Sequence, residues 1–237
     1  MNASSLALVG FEVDGWGRLL VMAAGLTLAA ALCSFAVGGM LGTAGAVLKL
    51  SPVATLRWVG IFYTTVFRGI PEILVVYLFY FGGSLALTHL MHLAGFPGFF
   101  SLPSFVIGVL AIGLVSGAYQ TEVYRSAYLR LDRGQVEAGL ACGMGRVVLL
   151  WRIVAPQTLL FALPALGNIW QSVLKETALL SIIGLVELLR QSTIAAGATR
   201  QPLLFYGAAA FVYLVMGQVT GIGIRSVERH LSRCRGR

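Results

Sequence analysis

Apolar residues in this chain come in long unbroken runs. They follow neither the two-residue alternation of a half-buried strand nor the narrow stripe of a helix on a water-soluble core. No charge stands between Arg18 and Lys49, and none between Glu72 and Glu122, a run interrupted by His89 and His92 and split by GFPGFFSLPS at 95–104. About 20 apolar residues in a helix cross the hydrocarbon core of a bilayer. These runs predict spans at 19–47, 70–90 and 103–122. Two later runs predict a fourth span at 163–187 and a fifth at 203–225. The expected fold is all-α: one integral membrane domain over 1–237, with five transmembrane helices in the lipid bilayer and one long polar loop at 123–160.

Composition agrees with this and charge orients it. A mean hydropathy of +0.86, with 58% hydrophobic and 11% charged residues, lies outside the range of water-soluble domains. The net charge of +8 raises the possibility of a nucleic-acid partner, but the cations are spread over three loops with no soluble module to present them, so none is expected. Short loops rich in Lys and Arg stay in the cytoplasm. With the tail RSVERHLSRCRGR inside, 13 of the 17 cations are cytoplasmic; the reverse orientation leaves only Arg18, Arg190 and Arg200 there. The N-terminus is therefore expected outside, the C-terminus and the 123–160 loop inside. Residues 1–18 lack the basic start of a signal peptide, so the first span is expected to stay uncleaved. Of the three thiols, Cys142 and Cys234 then face a reducing compartment and Cys33 sits in span one, which argues against disulfides.

The 123–160 loop is too short for a catalytic domain and too long for a simple turn. DRGQVEAGLACGMGRVVLLWRIVAP predicts a short helix at 134–142, a break at Gly143 and Gly145, and a second helix, VVLLWRIV, stopped by Pro156. Physical reasoning leaves two uses open: an amphipathic helix lying on lipid headgroups, or a surface on which a partner docks.

Spacing within this loop resembles the EAA motif of the membrane subunits of binding-protein-dependent ABC importers. Glu137, Ala138 and Gly139 stand at the start of that pattern, Gly143 follows at the required place, and Ile153 and Pro156 complete it. Gly139 and Ala155 depart from the pattern, which has Ala and Leu there. FRGIPEILVVYLFYFG (67–82), with Arg68, Gly69 and Pro71, is similar to a second segment of the polar amino acid permeases. LPALGNIWQSVLKETALLSIIGL (163–185) is similar to their fourth span, nearest to permeases for histidine, arginine, lysine or opines.

The resemblance implies a type I ABC importer permease fold in the bacterial inner membrane, coupled to ATP hydrolysis through the EAA loop. It implies several partners: a cytosolic ABC ATPase dimer that uses ATP and Mg, a second permease subunit, similar or identical, and an extracytoplasmic solute-binding protein. The cargo it implies is a polar amino acid, basic or in the form of an opine. The chain has no GxxxxGK[ST] phosphate loop, so no ATPase site and no cofactor of its own are expected.

Polar side chains inside spans are costly and mark pathways by default. Asn168, Gln171 and Lys175 recur at helical spacing, followed by Glu176 and Thr177, and form the candidate substrate pathway. A bundle-locking role for Asn168 and Gln171 is equally consistent with their chemistry. Gln120 and Glu122 read as interfacial anchors or gate residues, and Glu72 as a charge suited to a helix start. Gly38 and Gly42 stand in GxxxG register, which suits close helix packing. His89 and His92 are too isolated for a metal site. Intramembrane charge would also suit a stand-alone channel or ion-coupled carrier, or a membrane-embedded enzyme, but the 137–156 spacing fits neither.

Overall fold

The structure, a computed structural model, describes residue 10 and residues 15–235. Among the described residues five helices are long and apolar enough to cross a membrane: α1 (Gly17–Leu50), α3 (Glu72–Leu93), α4 (Ser104–Leu129), α6 (Arg146–Ser181) and the 202–224 part of α8 (Pro202–Arg235). Three shorter helices join them: α2 (Ala54–Gly69), α5 (Arg133–Ala141) and α7 (Leu188–Thr199). The all-α, five-span architecture expected from the hydrophobic runs is present. Most of the amino-terminal stretch read for a signal peptide, and the side chain of Cys234, lie outside the described residues.

The centre of the bundle is the parallel pair α1 and α4, brought together by missing side chains. A Cβ on Gly42 would lie 2.7 Å from the Cβ of Gln120, and one on Gly38 would lie 2.9 Å from Ser116 Oγ. The fit is reciprocal, because a Cβ on Gly113 of α4 would lie 2.8 Å from Val37 Cγ1. Such close backbone approach is how helices gain van der Waals contact where lipid removes the hydrophobic drive between them. Antiparallel α6 covers α4, with Leu180 against Gly108 at one end and Ala162 and Leu166 clustered with Ala127 at the other. Trp170 of α6 is 4% exposed and stands edge-on to Phe35 of α1, ring centroids 5.6 Å apart. α8 returns beside α6, tied by Gln171 Nε2 donating to the Gly217 carbonyl at 2.7 Å.

The observed bounds differ from the expected spans in three instructive ways. First, Pro156 stops nothing. A proline in a helix lacks a donor and crowds the carbonyl four residues back, and the chain accommodates it by widening into a π turn at Leu150–Val154 and continuing. Span four is therefore Arg146–Ser181, beginning well before 163 and ending before 187, and the loop outside the spans shrinks from 123–160 to about 130–145. Second, α2 precedes span two. It climbs beside α1 and α4, with Tyr63 donating to the Leu114 carbonyl at 2.7 Å, so that Glu72 begins its helix level with Ser116, halfway along α4.

Third, 182–187, the end of the expected fourth span, is not helical yet stays within the bundle. Glu187 meets Thr27 of α1 and Tyr213 of α8, both well within their helices, so 182–187 dips back among the spans before α7 climbs out. Backbone of this kind is tolerated at membrane depth only where protein buries it.

Gly42→Val should separate α1 from α4 and lower the thermal stability of the purified protein in mild detergent by about 1–3 kcal/mol. Gly25→Val, whose added Cβ meets nothing within 4 Å, should unfold at the wild-type temperature. Equal behaviour of the two variants would mean the α1–α4 seam is not the tight contact described.

Candidate functional site

Two features stand apart from the packing: a hairpin at one end of the bundle and a polar face at mid-depth. The hairpin starts at Asp132, whose carboxylate accepts from Gly134 N at 2.9 Å and caps α5. It ends in a Schellman turn. Gly143 N donates to the Leu140 carbonyl at 2.9 Å and Met144 N to the Gly139 carbonyl at 3.1 Å, with Gly143 in the left-handed region at φ 77°. Gly145 is extended, and α6 starts at Arg146.

The hairpin gives the motif spacing a physical meaning. Gly139 is buried, and a Cβ there would lie 2.5 Å from Leu149 Cδ1 and 3.0 Å from Ile153 Cδ1. Gly139 and Ile153, two members of the pattern, are thus packed against each other, and glycine replaces the usual alanine where Leu149 leaves no room. A side-chain bond between Gln157 and Gln135 closes the same seam from its edge. Glu137, Ala138, Leu140 and Ala141 remain exposed on the opposite face of α5, and Pro156 is exposed on α6. The hairpin is a rigid knob with one face free.

The polar face forms where α3 begins. Ile70 and Pro71 break the backbone after α2, and Arg68 stacks over the Tyr119 ring, 5.2 Å from its centroid. Arg68 therefore sits at the depth of Tyr119, rather than in an inner surface loop as the charge count had it. Glu72 and Glu176 bring their carboxyl groups within hydrogen-bonding reach of each other. Together with Ser116, Tyr119, Asn168 and Ser172 they line a cavity of about 270 Å³. Asn168, Ser172 and Lys175 are exposed in the single chain. Among the described residues no group of three His, Cys, Asp or Glu comes together to hold a metal.

The predicted pathway residues divide between two surroundings. Asn168 and Glu176 line the cavity and Lys175 stands at its edge, but Gln171 turns away to hold α8 and Thr177 is fully buried. The partners Glu72, Ser116, Tyr119 and Ser172 were missed. Ser172 lies four residues from both Asn168 and Glu176, a spacing that marks one face of a helix. Glu72 was read only as a helix start, and its depth becomes visible only once α2 is seen to climb. Gln120 is fully buried, donating to the Phe35 carbonyl at 3.2 Å and accepting from Tyr124, and so is no interfacial anchor. Lys49, Glu122 and Arg125 form an ion cluster at the hairpin end, with Lys49 also donating to Thr64 at 2.9 Å. His92 holds its own loop through Gly98.

Comparison with known proteins places these features in company. Residues 37–233 match the family described as "Binding-protein-dependent transport system inner membrane component". The chain is 49% identical over 226 residues to the octopine transport system permease protein OccQ of Rhizobium radiobacter, covering 95% of each chain. It is 42% identical to the nopaline transport system permease protein NocQ of Agrobacterium fabrum, covering 96% of this chain and 97% of that one. Among solved structures it superposes on an amino acid ABC transporter crystallised with histidines at a TM-score of 0.78, with 29% identity over 97% of this chain and 100% of that one.

Gly143→Leu forces a side chain into the left-handed region at a cost of about 1–2 kcal/mol. It should raise the rate of limited proteolysis between 130 and 146 while leaving the spans protected. Gly143→Asn, which tolerates that region, should be cut at an intermediate rate. Equal cleavage of all three proteins would show that the turn does not hold the hairpin.

Proposed function

The chain belongs to the family of binding-protein-dependent transport system inner membrane components, and from that premise we propose that it forms the passage for opines or basic amino acids in an ATP-driven importer. The observation that carries this reading is the mid-depth cavity in which Glu72 and Glu176 meet beside Asn168.

A charge at the centre of a bilayer costs several kcal/mol when it faces lipid. The face bearing Arg68, Glu72, Lys175 and Glu176 therefore turns toward a water-filled pathway and a second permease subunit, similar or identical to this one. Opines of the octopine and nopaline kind carry a cationic guanidinium at one end and carboxylates at the other. The paired carboxylates suit the first, and Lys175 and Arg68 suit the second. Their names also point in this direction: the octopine and nopaline permeases match nearly the whole chain.

The hairpin is the coupling element. Its free face, Glu137, Ala138, Leu140 and Ala141, fits a groove on a cytosolic ATPase pair, whose closure on ATP and Mg moves α6 through the seam at Gly139 and Ile153. This end is cytosolic, as the excess of basic loops requires, and the opposite end receives a solute-binding protein. The chain supplies passage and lever, and the ATPase supplies the energy.

Uptake of radiolabelled octopine by the importer assembled in liposomes with its ATPase and binding protein tests this. Excess arginine should compete and excess glutamate should not. Glu176→Gln should cut uptake about ten-fold, as expected for the loss of one charge-assisted bond. Wild-type uptake by that variant would retire the carboxylate pair, and no uptake by the wild-type assembly of octopine or of any basic amino acid would retire the function.

A further inference from the structure

Along α4 the side chains from Ala111 to Thr121 are buried or half-buried with one exception, Tyr119, which is 37% exposed. Its ring borders the mid-depth cavity together with Glu72, Asn168 and Glu176. The guanidinium of Arg68 stands over that ring, with Cζ 5.2 Å from the centroid.

Arg68 takes this place without an ion pair. Glu72 follows it by four residues and lines the cavity, yet among the described residues the ion pairs are Lys49–Glu122 and Arg125–Glu122, and neither involves Arg68, Glu72 or Glu176. Contact with an aromatic face is worth about 2- to 30-fold in an equilibrium, less than a bidentate carboxylate supplies. Arg68 is also exposed and stands in the last turn of α2, where a Cβ added to the neighbouring Gly69 would meet nothing within 4 Å. Its side chain is weakly held and has room to leave.

The cavity thus sets two carboxylates with no ion pair beside a ring that already carries a guanidinium. A guanidinium is planar, so its edge can bond carboxylates while its face lies on an aromatic ring. We propose that Tyr119 is a specificity-determining residue: its ring is a guanidinium subsite of the pathway, held by Arg68 when the passage is empty and taken by the guanidinium of the cargo when it is loaded. Arg68, once displaced, is free to meet the carboxylate end of the same cargo. The exchange keeps a cation on the ring throughout and favours cargo that brings both groups. It rests on the reading of this face as the passage for opines or basic amino acids.

The test measures equilibrium binding of labelled agmatine, which has the guanidinium and no carboxylate, to the complete importer in lipid nanodiscs without ATP or binding protein. Arg68→Gln removes the rival and should tighten agmatine binding about five-fold. Tyr119→Leu should weaken it about ten-fold. In the Tyr119→Leu background the gain from Arg68→Gln should shrink to less than about two-fold, because the two side chains act through one contact. Should Tyr119→Leu fail to assemble with the ATPase, Tyr119→Met takes its place. Unchanged or weaker binding in Arg68→Gln would overturn the proposal, and so would the same gain with and without the ring, which would make Arg68 a charge and nothing more. A wild-type importer that binds no agmatine yet takes up octopine in liposomes would overturn it as well. One that takes up neither octopine nor any basic amino acid would instead bring down the functional reading beneath it.

Discussion

An unpartnered charge in hydrocarbon costs several kcal/mol, and nearly every irregular feature of this bundle answers that cost. Lys49 and Glu122 neutralise each other between α1 and α4 at the hairpin end, with Thr64 of α2 as a third member. Glu187 is enclosed by two backbone N–H groups, a tyrosine and a threonine. Glu72, Arg68, Lys175 and Glu176 have no such enclosure within one chain, as Lys175 stays exposed and the carboxylates line an open cavity. The first two groups are closed within the protein and the third is left open. That difference separates the groups that hold the bundle from those proposed to line the pathway.

The regular part of this arrangement was legible in the residues and the irregular part was not. Charge-free runs locate five spans because desolvation acts residue by residue along a helix. They do not reveal α2, whose Arg57 and Arg68 interrupt the apolar pattern although the helix packs on α1 and α4. Nor do they show that 182–187 leaves the helix while staying in the bundle: 163–187 reads as one continuous span, although the helix ends at Ser181 and Thr27 and Tyr213 surround Glu187. Pro156 misled for a related reason. A proline blocks one hydrogen bond, and whether the helix ends there or widens depends on what packs around it.

The coupling pattern was legible for a different reason, since spacing records contacts within a short hairpin. Gly139 and Ile153 sit fourteen positions apart in sequence and touch across the turn closed by Gly143. The presence of glycine rather than alanine at 139 is a packing matter, set by Leu149, and leaves untouched the exposed face proposed for docking, which lies on the other side of α5 at Glu137 and Ala138. Conversely, the pathway set of Asn168, Gln171 and Lys175 followed helical spacing alone, and spacing could not tell that α8 claims Gln171.

A single element joins the two features. α6 is 36 residues long, beginning at the hairpin seam and ending in the 3₁₀ turn beside Glu176 and Thr177. A straight, uniform helix would carry any tilt at the hairpin to the far end as a rigid rod. This one widens at Leu150–Val154 and carries Pro164 in its interior, so it can bend near the hairpin while its far half stays packed through Trp170, Val173 and Leu174. Motion at the hairpin is then divided between bending and transmission. The transmitted part reaches the 3₁₀ turn, where Leu185 N donates to the Leu180 carbonyl at 3.1 Å and joins α6 to the segment that carries Glu187. In a helix built this way the bend near the hairpin, rather than the length of the rod, sets how much of a tilt reaches the far end.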